Sequence, residues 1–277
     1  MSEPALDIVH QAVNALQSRG ANVRAAAASL AQLADTAGTA KPAAVRPAPV
    51  APAVQKTTPL PEAPRSISVG NKAERLEKLR GPVLACAKCL QLATSRTQVV
   101  FGTGNPDAEI MFVGEAPGAD EDMVGEPFVG KAGQLLTKII ETMGLRRSDV
   151  YLANVLKCRP HLPPGETDNR KPTPDELATC SPYLLEQIKI IQPRIIIALG
   201  GTAVEGLLGE EKVQITKLRG TWRELQGIPL MPTLHPNYLL HNPALSEKRH
   251  LWEDMLAVLE RLGKPITERQ RAFFLPK

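Results

Sequence analysis

The chain has 277 residues, 43% of them hydrophobic and 22% charged but only 4% aromatic, with a formal net charge of +4. That length provides for one α/β domain of about 180–200 residues plus an accessory segment. No apolar run reaches the ~20 residues that span a bilayer, and the sequence after Met1 lacks the basic and apolar stretches of a secretory signal. A cytoplasmic protein without membrane attachment is expected, and its mild basicity suits a nucleic-acid partner without demanding one.

Residues 1–35 carry a loose helical pattern through Leu6, Ile8, Val9, Val13, Leu16, Leu30 and Leu33, which reads as a marginal N-terminal helical segment. Residues 36–70 are rich in Ala and Pro, with prolines at 42, 47, 49, 52, 59, 61 and 64, the composition of an extended, disordered linker. The folded domain is expected over 71–264, followed by a C-terminal tail over 265–277. Within the domain, Ala73–Arg80 is predicted as a charged helix and Ile110–Val113 as a strand. Ala132–Met143 reads as a helix with Leu135, Leu136, Ile139 and Ile140 on one face. Val150–Leu156 is a predicted strand, and Pro174–Ile191 a predicted helix with Thr173 as its N-cap. Arg194–Leu199 and Pro229–Leu234 are further strands, Thr202–Leu208 a short helix and Ser246–Leu262 the closing helix. Unbroken Ile/Val runs alternating with helices indicate a parallel sheet covered on both faces. Ligands of such sheets bind beyond the carboxyl ends of the strands, which directs attention to the loops after Val113, Leu156 and Thr233.

The first of these loops runs from Gly114 through Glu115, Ala116, Pro117 and Gly118 to Gly133. Its Gly125-x4-Gly130-Lys131 imitates a phosphate-binding loop. However, Ala132 stands where a magnesium-binding hydroxyl would be needed, and Gly125 does not directly follow a strand. Phe128, an apolar ring in a polar, glycine-flanked loop, suits a stacking platform for a planar base better than a plug against the sheet. Asn154, at the end of a buried strand, needs a partner for its amide. It could read the polar edge of a pyrimidine or equally cap a turn. His235 follows an apolar strand and is fixed by Pro236; the switch-point position gives catalysis the same weight as a structural role.

All four cysteines, Cys86, Cys89, Cys158 and Cys180, fall in the folded part. In a reducing compartment they favour a metal site over disulfides. Only one Cys-x2-Cys pair is present, whereas a zinc ribbon usually repeats it, so a scattered iron–sulfur ligand set fits at least as well as structural zinc.

Taken in order, Cys86-x2-Cys89, Gly114–Gly118, Pro127–Gly133, Asn154–Pro160, Asn169–Pro174 and His235-Pro-x-Tyr-Leu-Leu240 resemble the family 4, iron–sulfur-containing uracil-DNA glycosylases over about Cys86 to Leu262. The resemblance implies a three-layer α/β/α fold with a four-stranded parallel sheet. It also implies a 4Fe-4S cluster held by Cys86, Cys89, Cys158 and Cys180. Residue by residue, it implies that Phe128 stacks on a flipped uracil and that Asn154 reads its polar edge. The Ala116 amide would contact the base, Glu115 would stand near C5 to refuse thymine's methyl group, and His235 would face O2 as negative charge develops there. Catalytic roles thus fall to His235, Asn154 and Glu115. In the related branch with Gly-Gln-Asp-Pro-Tyr an Asp handles water; here Ala116 fills that place. Two departures are a segment inserted between Pro160 and Asn169 and the long N-terminal extension.

The expected partner is uracil-containing DNA, its phosphates met by Lys131, Lys157, Arg159, Arg170 and Lys171, with the chain acting as a monomer. Phe273 and Phe274 sit side by side in the polar tail; packing back on the domain is one reading. The other is a motif beginning at Gln270 that resembles sliding-clamp-binding tails. Two alternatives to a glycosylase are a relative that traps the abasic sugar covalently and a non-catalytic iron–sulfur DNA-binding protein. The first typically carries a basic, His-containing insertion after the first loop that this chain lacks, and Phe128, Asn154 and His235 together weigh against the second.

Overall fold

The architecture follows from residues that alternate between two buried faces. The computed structural model describes residues 69–160 and 170–275. The predicted segments 1–35 and 36–70 lie outside it, except that residues 69 and 70 open the first helix; the whole insertion before Asn169 lies outside it too.

Helices α1 (Val69–Leu84) and α2 (Leu90–Ser95) precede strands β1 (Thr103–Gly104) and β2 (Ile110–Gly114). Then come α3 (Ala119–Val124), α4 (Lys131–Thr142), β3 (Tyr151–Asn154) and α5 (Pro174–Ile191). The remainder is β4 (Ile195–Leu199), α6 (Gly201–Leu208), α7 (Ile215–Leu218), β5 (Arg223–Leu225), β6 (Ile228–Thr233), α8 (Pro236–His241), α9 (Leu245–Arg261) and α10 (Glu268–Ala272). The strands form one sheet in the order β1-β3-β2-β4-β6-β5. The inner four are parallel, as expected, while β1 and β5 add antiparallel edges that extend the sheet to six strands.

On one face, Met111, Val113, Ala153, Ile196 and Ala198 pack with α1, α5 and α6 through Leu76, Leu184, Ile188 and Val204. On the other, Ile110, Phe112, Leu152, Ile195 and Ile197 meet Leu136 and Ile140 of α4 and Trp252, Met255 and Leu259 of α9. Successive strand residues point to opposite faces, so these two sets give the three layers.

Local chemistry agrees. Thr173 caps α5, accepting from the Glu176 amide at 3.2 Å while Glu176 accepts from the Thr173 amide at 2.8 Å. Asn154 ends β3 in register with Gly114 at the end of β2, which brings the first and second predicted loops side by side.

Candidate active site

Glu115, Ala116, Phe128, Asn154 and His235 all line one cleft of about 500 Å³ at the carboxyl ends of the parallel strands. Two glycines make their convergence sterically feasible. A Cβ on Gly114 would stand 2.5 Å from Asn154 Oδ1 and 2.5 Å from the tip of the Phe128 ring, and one on Gly133 would collide with the Phe128 backbone. Phe128 itself holds a left-handed backbone, φ 57°, which is strained for an aromatic residue unless the surroundings fix it.

Asn154 is 2% exposed, and its Oδ1 has no hydrogen-bond partner. A buried acceptor left unpaired costs about 1–3 kcal/mol, and this atom is open to a donor that enters the cleft. His235 caps α8 by accepting from the Asn237 amide through Nδ1 at 3.1 Å. With Nδ1 an acceptor, the ring proton sits on Nε2. Burial holds the pKa down to about 4, so the neutral donor form prevails near pH 7. The Phe128 and His235 rings lie 6.2 Å apart, tilted by 32°. Burial pushes the Glu115 carboxyl upward, opposed by a hydrogen bond from Thr202 and by Lys171, and raised further by Glu205. Lys171 is itself tied to Glu205 at 2.7 Å.

Several supporting residues escaped the sequence reading. Glu121 accepts from the amides of Gly118, Val129 and Gly130 at 3.0, 3.0 and 2.9 Å. Its pattern is a helix-capping box hidden by a glycine at the N-cap. Behind His235, Thr233 donates to Asp254 at 2.6 Å, and Asp254 accepts two bonds from Arg219 at 3.1 and 2.6 Å. An acid on the apolar face of α9 was the available signal for that brace. One expectation is corrected: Lys157 is 1% exposed and donates to Gln187 at 2.6 Å, so it supports the core and cannot meet DNA phosphate. Arg170 lines the cleft and pairs with Glu176 at 2.6 Å, and Lys131 is exposed at the start of α4.

The cysteines gather on the α1–α5 side. Cys86 and Cys89 are half-buried, Cys158 and Cys180 buried. Arg96 donates to Cys158 Sγ at 3.1 Å and to the Cys86 carbonyl at 2.7 Å, and the Lys157 amide donates to Cys180 Sγ at 3.3 Å. Burial pushes the Cys180 thiol up to about 11, opposed by Lys157 and reinforced by Cys158 and Cys86. Among the described residues, no group of three or more His, Cys, Asp or Glu is drawn together to hold a metal ion.

In the tail, Gln270 donates to the Thr142 carbonyl at 2.8 Å, and Trp252 Nε1 donates to the Gln270 carbonyl at 2.6 Å. Phe273 packs edge-on against Trp252 with centroids 5.7 Å apart, whereas Phe274 is 38% exposed.

Residues 101–256 match the family described as the Uracil DNA glycosylase superfamily, which sets the class of this domain. A Type-4 uracil-DNA glycosylase of Thermotoga maritima is 46% identical over 187 residues, covering 66% of this chain and 93% of its own. Another, from Sulfurisphaera tokodaii, is 46% identical over 195 residues, 68% of this chain and 84% of its own. A Type-5 uracil-DNA glycosylase of Thermus thermophilus is 30% identical over 155 residues, 45% of this chain and 68% of its own. The chain belongs to the Type-4 uracil-DNA glycosylase family.

Proposed function

We propose that the cleft receives a uracil flipped out of single- or double-stranded DNA and that the chain hydrolyses its N-glycosidic bond, releasing free uracil and leaving an abasic site for repair. The observation that carries the site assignment is the unpaired Oδ1 of buried Asn154. Uracil offers an N3–H to that oxygen and an O4 acceptor to the Asn154 amide nitrogen. Cytosine offers the opposite pattern and would leave both groups unpaired, which penalises it strongly. Phe128 supplies the stacking face, worth about 1–3 kcal/mol per base.

Extruding the base costs a few kcal/mol, least in a mismatch or a single strand. Cleavage of the C1′–N1 bond sends its electron pair to uracil and leaves oxocarbenium character on the sugar. Neutral His235 directs its Nε2–H at O2, and Asn154 and the Ala116 amide add further donors, so the departing anion meets a preorganised set. Water then adds to C1′, and the proton it releases passes to the departed uracil anion, giving neutral uracil and the abasic sugar. With Ala116 where the related branch has Asp, water attack is late and weakly assisted. Glu115, beside C5, excludes a methyl substituent.

Cys86, Cys89, Cys158 and Cys180 form an all-thiol donor set flanked by the Arg96 guanidinium, which fits a 4Fe-4S cluster, with structural zinc as the alternative. Bound through these four cysteines, it would serve as a cross-link between α1, α2, the segment after β3 and α5, with no part in the glycosidic chemistry. Lys131, Arg159, Arg170 and Lys171 remain as phosphate contacts. The chain works as a cytoplasmic monomer; among the described residues no helix is long and apolar enough to cross a membrane. A sliding clamp would have to capture the tail after Gln270 and Phe273 detach, with exposed Phe274 as the first point of contact.

The test is incubation of the purified protein with an oligonucleotide carrying one deoxyuridine, followed by alkali. Strand scission at that position is expected; an intact strand would overturn the proposal.

A further inference from the structure

Phe128 is a large non-glycine residue in left-handed backbone, at φ 57°. Such a state persists where neighbouring contacts over-determine it, and here they come from both sides of the residue. On the following side, Glu121 Oε1 accepts from the amides of Val129 and Gly130 at 3.0 and 2.9 Å, while Oε2 accepts from Gly118 at 3.0 Å. On the preceding side, Arg147 Nη2 donates to the Pro127 carbonyl at 2.6 Å and Nη1 to Thr137 Oγ1 on α4 at 3.3 Å. Gly133 leaves room for the Phe128 backbone between them. Capping α3 alone would engage only the Gly118 amide. The two additional amides belong to a separate segment, the one that carries Phe128, and Arg147 comes from the turn before β3.

We infer that Glu121 and Arg147 are a clamp that fixes the Phe128 backbone and thereby aims its ring at the base; both are positioning residues acting through Phe128. The inference rests on the reading of Phe128 as the stacking ring. Glu121 borders the cleft, but both its oxygens are occupied by backbone amides. Their removal therefore weakens the holding of uracil more than bond cleavage itself.

The experiment uses the full chain and measures the dissociation constant of free uracil, KM and kcat on a single-stranded deoxyuridine oligonucleotide, and Tm. The proteins are the wild type, Glu121→Gln, Arg147→Met, Phe128→Ala and the two double variants with Phe128→Ala. Each clamp variant is expected to weaken uracil binding and raise KM about fivefold, the lower end of what a stacked base contributes. The kcat at saturation should stay within about twofold, because the groups that meet the leaving base are untouched. Neither variant should add to the loss already caused by Phe128→Ala, and Arg147→Lys, which keeps one donor for Pro127, should recover part of the affinity. Should Glu121→Gln fail to fold, Arg147→Met carries the same comparison. Unchanged affinity in the clamp variants, or losses that multiply with that of Phe128→Ala, would overturn the clamp while leaving stacking intact. Unchanged affinity in Phe128→Ala would instead sink the stacking reading, and the clamp with it.

Discussion

His235 shows how much of a residue's chemistry comes from its neighbours. The sequence places it after a strand and before a proline, but the Asn237 amide at 3.1 Å is what puts its proton on Nε2. Burial holds its pKa down to about 4, below the ordinary 6.5. Between those values the unfolded chain binds more protons than the folded one, so stability falls as pH drops through that window. Single-turnover uracil release should accordingly be flat from about pH 6 to 8 and decline only on approach to about pH 4, as far as this group governs it. A limb near 6.5 that disappears in His235→Gln would show an ordinary, titrating histidine instead. Phe128, Asn154 and His235 were legible because each is out of character for its local pattern. Glu121 and Arg147 were not, because the Val129, Gly130 and Pro127 backbone atoms they bond are brought near only by the fold.

At the scale of elements, hydrophobic runs and caps marked the inner strands and long helices to within a few residues. Capping by Thr173 stands out because two side-chain bonds at a helix start are written in the sequence itself. The edges were invisible for physical reasons. β1 is two residues long, too short for any alternation. β5 turns into β6 through Gln226 and Gly227, both at positive φ, a hairpin turn whose first residue is not the usual Asn or Asp. The tail was ambiguous because two adjacent aromatics look alike in sequence whether they dock inward or outward. Phe273 docks on Trp252 and Gln270 bridges to α4. Deleting residues 268–277 should therefore lower Tm by several degrees while leaving a folded, active domain, since it uncovers part of an aromatic pair worth about 1 kcal/mol beyond area burial. An unchanged Tm would mean that the tail exists only for a partner.

For the whole molecule, the sheet divides the labour. Its carboxyl ends present the cleft, while the cysteines lie where α1, α2, the segment after β3 and α5 meet. Cys158 stands four residues beyond Asn154 on the same continuous segment, so a group bound by the thiols would also steady that strand end. Purified protein is expected to carry iron and acid-labile sulfide in equal amounts. Cys180→Ser should lose both and lower Tm, with its largest functional effect on uracil affinity. Zinc without sulfide would reassign the site.

The central claim is that Asn154, set at the end of β3 with an open acceptor, reads and helps expel uracil. Single-turnover release of uracil by Asn154→Ala, beside the wild type and with Tm measured on both, tests it most directly. A loss of about 100- to 1,000-fold with Tm preserved is predicted, the usual consequence of removing one preorganised donor to a developing anion. Release at the wild-type rate would contradict the account.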